Sequence, residues 1–265
     1  MERMAGKSER IKAVDKAFDL FEFLSRDNRE IGISEISKSL HMGLSTVHRI
    51  ITTLRTRSYV TQNPMTMKYR LGIKLFTLGY AVQSTKHLVE ITKPYLRELT
   101  QLTSETSNLA VLEGKEVIYI AKIDSPEILT TNIKIGTEIP AHCTALGKTL
   151  LAFISDEEFE SIYKSDERLS SLTSNSISSL EKLKETLKTV KEHGFAIDEE
   201  EYKVGVNCIG APIFDGNGII AALSVSGPAS RFTREAMGEI KDRLMSISKE
   251  ISEKYCKDGL TSTEK

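Results

Sequence analysis

The stretch from Ile33 to Leu54 admits few folds. Ile33, Ile36 and Leu40 form one apolar side, His41-Met42-Gly43 interrupts it, and Leu44, Val47, Ile51 and Leu54 then recur at steps of three, four and three. Both stripes follow the period of an amphipathic helix. Two short helices joined by a Gly-containing turn of three or four residues make a helix-turn-helix. Ser34 can cap the first helix, with Glu35 in its first turn. Gly43 can take the positive φ of a tight turn. The second helix turns Ser45, Thr46, His48, Arg49, Thr52, Thr53 and Arg55 outward. SYVTQNPMTMKYRLG follows, with Tyr59-Val60 and Lys68-Tyr69-Arg70-Leu71 reading as strands around the turn signal Asn63-Pro64. A hairpin directly after such a helix is a wing. Upstream, Val14, Ala17, Phe18, Phe21 and Leu24 share a further helical face, which Arg26-Asp27-Asn28 ends.

Charge sets this region apart. The whole chain is nearly neutral, at −1, yet between Glu35 and Glu90 there is no carboxylate and there are eight basic residues. Residues 1–70 hold 13 Lys/Arg against 8 Asp/Glu, and the remaining chain 23 against 29. A basic front on an acidic remainder points to a polyanion met by the front alone. A phosphate backbone repels carboxylates and rewards each Lys or Arg through counterion release. Residues at the start of a recognition helix reach base edges. Ser45, Thr46, His48 and Arg49 are therefore expected nearest the bases, Thr53 and Arg55 nearer phosphate, and Lys68 and Arg70 on phosphate from the wing. Ser34 and Thr52 complete the expected DNA-facing set.

Composition excludes other classes. At 40% hydrophobic and 28% charged the 265 residues suit a folded chain. No apolar run approaches the roughly 20 residues of a membrane span, and MERMAGKSERIK lacks the apolar core of a secretory signal. Cys143, Cys208 and Cys256 are few, odd in number and widely spaced, which suits a reducing cytoplasm. No membrane partner and no cofactor is expected.

Leu71 to about Leu88, with Leu75, Leu78 and Val82 on one face, reads as a connector helix, and a further helix is expected to start at Pro94 in its first turn. The expected domains are residues 1–72, a connector at 73–92 and a second domain at 93–258. That domain changes character. SNLAVLEG, KEVIYIAKI, AIDEE and GVNCIGAPIFDGNGIIAALSVSG are strand-like and punctuated by Gly, with Asp215-Gly216-Asn217-Gly218 a hairpin turn. Helices are expected at about 144–154, 177–192 and 233–256. The mixed order predicts an α+β fold with a sheet backed by helices.

The chain resembles the IclR family of bacterial transcription regulators over roughly residues 11–256. The likeness rests on GISEISKSLHMGLSTVHRIITTLRTRSYV, on HCTALGKTLLAF and on GFAIDEEEYKVGVNCIGAPIFDGNGIIAALSVSGPASRF. It implies a winged helix-turn-helix followed by a GAF-like effector-binding domain. It further implies a cytoplasmic homodimer or dimer of dimers that binds double-stranded operator DNA, with repression favoured over activation, and is switched by a small organic metabolite.

Gly147-Lys148-Thr149 lacks the spaced glycines of a nucleotide-binding loop. A helix opening near Thr144, with free backbone N–H groups for a ligand anion, is the better reading. Ser224 and Ser226 alternate along a strand and so share a face. The resemblance places the backbone of Ala145 and Leu146, with Asp198, Cys208, Ser224 and Ser226, around the effector. From residue type alone Cys208 reads as core and Asp198 as part of a solvated acidic run. The effector is expected to carry a carboxylate or carbonyl, while the walls around it, such as Ile123, Leu129 and Ile133, cannot be placed from sequence. The alternative is a hydrolytic or metal enzyme using Cys143 or Cys208, His142 or His193, and Asp198. No nucleophile signature or diagnostic ligand spacing supports it.

Overall fold

The computed structural model describes residues 11–26, 29–131, 133–163 and 168–262. Asp27 and Asn28 of the expected helix break lie outside them. The chain divides into two compact units, Met1–Gln83 and Ser84–Lys265.

The first unit holds α1 (Lys12–Arg26), α2 (Ile33–Ser39), α3 (Leu44–Thr56), β1 (Val60–Gln62), β2 (Tyr69–Leu71) and α4 (Lys74–Tyr80). Leu20, Leu24, Ile36, Val47, Ile51, Leu54, Val60 and Tyr69 pack into its core. The strands pair antiparallel, and Ile31 exchanges backbone bonds of 2.8 Å with Tyr69. That bridge ties the entry of α2 to the wing. It also moves the helix start: the N-cap is Gly32 in extended conformation, and Ser34 lies inside α2 rather than capping it. The turn between α2 and α3 differs from expectation as well. His41, not Gly43, has positive φ, at 50°. His41 N–H bonds to Lys38 O and Met42 N–H to Ser37 O, the paired bonds of a Schellman stop. Gly43 is the extended N-cap of α3.

Three expected apolar faces are only partly used. Leu44 is exposed at the start of α3 while Val47, Ile51 and Leu54 are buried. On α1 the buried residues are Leu20 and Leu24, and Val14 and Phe18 are exposed. Leu78 and Val82 are exposed too. No buried face then holds one helix across 71–88, and α4 ends at Tyr80 with Ala81 as its C-cap.

The second unit begins with α5 (Gln83–Thr103), which runs straight through Pro94 instead of opening there. The missing N–H costs one bond to Glu90, but Leu88, Ile91, Leu96 and Leu99 are buried in one cluster and hold the helix across it. There follow β3 (Thr106–Glu113), β4 (Glu116–Ile123), β5 (Glu138–Pro140), a 3-10 turn at Ala141–Cys143, α6 (Ala145–Phe153), α7 (Asp156–Ile162), α8 (Leu180–His193), β6 (Ala196–Glu199), β7 (Val206–Phe214), β8 (Ile219–Pro228) and α9 (Arg234–Ser262). The strands form one antiparallel sheet in the order β5-β4-β3-β8-β7-β6. Asp215 Oδ1 accepts from Asn217 and Gly218 N–H and closes the β7–β8 hairpin.

Alternation gives the sheet two different faces. Leu109, Ile209, Ala211, Leu223 and Val225 pack with residues of α5 and α9. Ala110, Ala196 and Ala222 pack with residues of α6 and α8. The fold class is α+β, with a winged helix-turn-helix ahead of a helix-backed antiparallel sheet.

Candidate DNA interface and ligand pocket

The exposed side of α3 carries Ser45, His48, Arg49, Thr53 and Arg55, with Thr46 and Thr52 half-buried at its margins. Lys68 and Arg70 are exposed on the wing, and Ser34 is exposed on α2. Two members of the set are engaged within the chain. Thr53 Oγ1 donates to Arg49 O at 2.9 Å, and the Arg55 guanidinium donates to Gln62 Oε1 on β1. Gln62 Nε2 in turn reaches Tyr69 Oη and Met67 O, each at 3.0 Å. Arg55 thus braces helix against wing, a role that helical spacing could not reveal. The wing tip is held from the other side: Glu30 accepts from Asn63 Nδ2 and Thr66 Oγ1. These bonds, Asn63's first, lower the Glu30 carboxyl below its usual range.

In the second unit a polar row crosses the face that lies under α6. Asp198 pairs with Cys208, Cys208 with Ser226, and Ser226 with Thr106; beside them Gly210 pairs with Ser224, and Ser224 with Asn108. Asp198, Cys208, Ser224 and Ser226 are therefore brought together on one face. The start of α6 crosses them at Gly210, where a Cβ would lie 3.2 Å from the Ala145 backbone. Thr144 caps that helix by accepting from Gly147 N–H at 2.9 Å, which leaves the Ala145 and Leu146 amides as its first free donors.

Asn108 belongs to this row, and nothing in the sequence singles it out. It is buried, and its Nδ2 reaches Ser226 Oγ at 3.0 Å and Ser224 Oγ at 3.4 Å. Its Oδ1 is buried with no partner among the described residues. Only strand pairing places Asn108 opposite Ser224, so spacing along the chain holds no signal for it. Thr131 Oγ1 lies 3.2 Å from Ser226 Oγ. The suggested walls separate: Ile123 packs with the core of the opposite face, Leu129 is exposed, and Ile133 packs with the cluster under α6.

Lys148 is occupied inside the protein. Its side chain is 2% exposed, and its ammonium donates to Ile197 O at 2.5 Å and to the Glu201 carboxylate. Glu201 N–H donates to Asp198 Oδ1 at 2.7 Å. Burial pushes Asp198 up to about 7, against the lowering charge of Lys148. Burial, then the Asp198 charge, holds the Cys208 thiol well above its usual range and pushes Cys143 up to about 12. Cys143 Sγ contacts Pro140 O at 3.2 Å, and His142 Nε2 lies 2.8 Å from Ser170 O. Both thiols are thus held above their usual range by burial, the opposite of the lowering that activates a nucleophilic cysteine. Among the described residues no three His, Cys, Asp or Glu side chains group closely enough to hold a metal.

Comparison with known proteins gives a consistent result. The IclR helix-turn-helix domain matches residues 13–64, and the bacterial transcriptional regulator IclR C-terminal domain matches 80–253. The HTH-type transcriptional regulator KdgR of Escherichia coli (strain K12) is 38% identical over 243 residues, covering 91% of this chain and 92% of its own length. The crystal structure of Thermotoga maritima IclR is 30% identical, covers 93% of this chain and 99% of its own, and superposes with a TM-score of 0.73. An IclR homologue from Microbacterium hydrocarbonoxydans, crystallised with 4-hydroxybenzoate, covers 93% of this chain and 98% of its own at a TM-score of 0.78. At 21% identity its likeness is one of fold.

Proposed function

The chain belongs to the IclR family of bacterial transcriptional regulators, and on that premise we propose how its residues divide the work. It is a DNA-binding transcriptional regulator. In this reading α3 enters the major groove of an operator, with Ser45, Thr46, His48 and Arg49 nearest the bases. Thr53, Lys68 and Arg70 take the backbone, and Ser34 and Thr52 lie at the edge of the contact. Arg55 braces the wing while its charge faces phosphate. The observation that carries this reading is the exposed basic face of α3 with the wing beside it, in a stretch without carboxylates. One such module reads a half-site, so the operator is bound by a homodimer or a dimer of dimers.

The polar row under α6 is the effector site. The Ala145 and Leu146 amides and the Ser224 and Ser226 hydroxyls, with Asn108 beside them, hold the acid or carbonyl end of a small organic ligand. Asp198, when ionised, only accepts, and so takes a ligand hydroxyl or amine. The Cys208 thiol completes the wall. The raised thiols and the engaged His142 and Lys148 favour a binding role over catalysis.

Anisotropy titration of the chain's own upstream DNA tests the reading, with an effector found by a thermal-shift screen of small organic acids. Ser224→Ala with Ser226→Ala is expected to keep operator binding and lose the response to that acid. A response that survives at wild-type concentrations would place the pocket elsewhere.

A further inference from the structure

A recognition helix lying in the major groove, about 12 Å wide, has a sugar-phosphate strand on either flank. In the first unit the two flanks of α3 are built differently. On one, Arg55 reaches Gln62, and the wing presents Lys68 and Arg70. On the other, α1 and α3 enclose a groove of about 420 Å3, lined by Lys12, Ala13, Lys16, Thr46, Arg49 and Thr53 among others. Among the described residues no carboxylate lines it, and the α1 carboxylates Asp15 and Asp19 lie outside. Among the described residues neither lysine forms an ion pair. Helical period puts Lys12 and Lys16 on one flank of α1 and the exposed Val14 and Phe18 on the other.

We propose that this groove is a second phosphate site, in which Lys12 and Lys16 hold the sugar-phosphate strand on the flank of α3 opposite the wing. The proposal rests on the DNA-binding reading and deepens it. Among the described residues three cations, Lys12, Lys16 and Arg49, line this groove from two helices, beside the base-reading face. The methyl side chain of Ala13 leaves room for a close backbone. Wing and groove then clamp α3 between two strands and set its register without reading sequence. The ligand is the phosphodiester chain itself, so the interaction is the same for every DNA sequence.

The experiment measures binding of the full chain to a labelled duplex of arbitrary sequence over a range of salt concentrations. Each phosphate that is no longer neutralised lowers the slope of log affinity on log salt by about 0.9, so Lys12→Gln with Lys16→Gln is expected to lower it by about 1.8 per protomer. Lys12→Arg with Lys16→Arg is expected to keep the slope. Lys249→Gln with Lys254→Gln, on α9, makes the same change of net charge at residues that do not line the groove and is expected to leave the slope as it was. Should the double glutamine variant fold poorly, Lys12→Gln alone, at an exposed position, is expected to lower the slope by about 0.9. An unchanged slope in the α1 variants, with a lowered one in Lys68→Gln/Arg70→Gln, overturns the second site and leaves the DNA-binding reading standing. An equal fall in the α9 control overturns it too, since net charge alone then explains the loss. Failure of the wild-type chain to bind duplex at low salt overturns the DNA-binding reading and the groove with it.

Discussion

Asp198 sits in the polar row with its carboxyl at about 7, against an ordinary 3.8, mainly because it is buried. Its folded pKa lies above the unfolded one, so the unfolded chain releases this proton first. Stability should therefore fall as pH rises from about 4 to about 7 and level off above. Asp198→Asn keeps an oxygen for the Glu201 N–H and removes the titration. Its advantage over wild type in urea unfolding is expected to grow across that window, to about 2–4 kcal/mol. An advantage that stays constant with pH would assign the dependence to other groups. Lys148 makes a second case. Removing one partner of a buried ion pair costs roughly 3–5 kcal/mol, because the other charge is left buried and unpaired. Lys148→Met is expected to show that loss, and Lys148→Met with Glu201→Gln to recover much of it in the same denaturation series.

At the scale of elements, α3 and α6 each have one neighbour whose contact can be tested directly. For α3 it is the wing, through Arg55 and Gln62. Arg49→Ala should weaken operator binding by about 1–3 kcal/mol and relax one base position, if Arg49 reads a guanine. Arg55→Ala should loosen the wing, so its effect on binding should resemble that of the wing variants. A footprint unchanged by Arg49→Ala with Thr46→Ala would remove α3 from the bases. For α6 the neighbour is the 3-10 turn before it. A Cβ at Gly147 would lie 2.1 Å from Ala141 O, a backbone atom that cannot move aside cheaply. Gly147→Ala is expected to shift the Ala145 and Leu146 amides and to destabilise the protein by about 1–3 kcal/mol or more. A thermal melt equal to wild type would contradict this packing.

Over the whole molecule, the two units leave different surfaces to explain. Val14, Phe18, Leu78 and Val82 are exposed in the first unit, each an apolar side chain whose burial stabilises by roughly 1.5–3 kcal/mol. A second copy of the chain is the proposed cover. Sedimentation is expected to give at least a dimer at micromolar concentration, and Phe18→Ser with Leu78→Ser to shift it toward monomer. Operator affinity should fall with it, because a half-site alone remains. A wild-type monomer, or an operator without repeat symmetry, would count against the assembly. No helix among the described residues is long and apolar enough to cross a membrane.

What the chain determines by itself is what is local. Helical period set α2 and α3, the order of Asn63-Pro64 between two short strands set the wing, and Asp215–Gly218 set the hairpin. The absence of carboxylates marked the stretch proposed to face DNA, and alternation put Ser224 and Ser226 on one face. Tertiary structure decided whatever depends on partners distant in sequence. The bridge from Ile31 to Tyr69 moved the N-cap of α2 from Ser34 to Gly32. The burial of Leu88 to Leu99 carried α5 through Pro94. Strand register brought Asn108 to Ser224 and Ser226, and a buried carboxylate made Lys148 an internal strut. The physical reason is the same in each case. Period and turn chemistry act over a few residues, whereas burial and pairing act between chain segments that only the fold brings together.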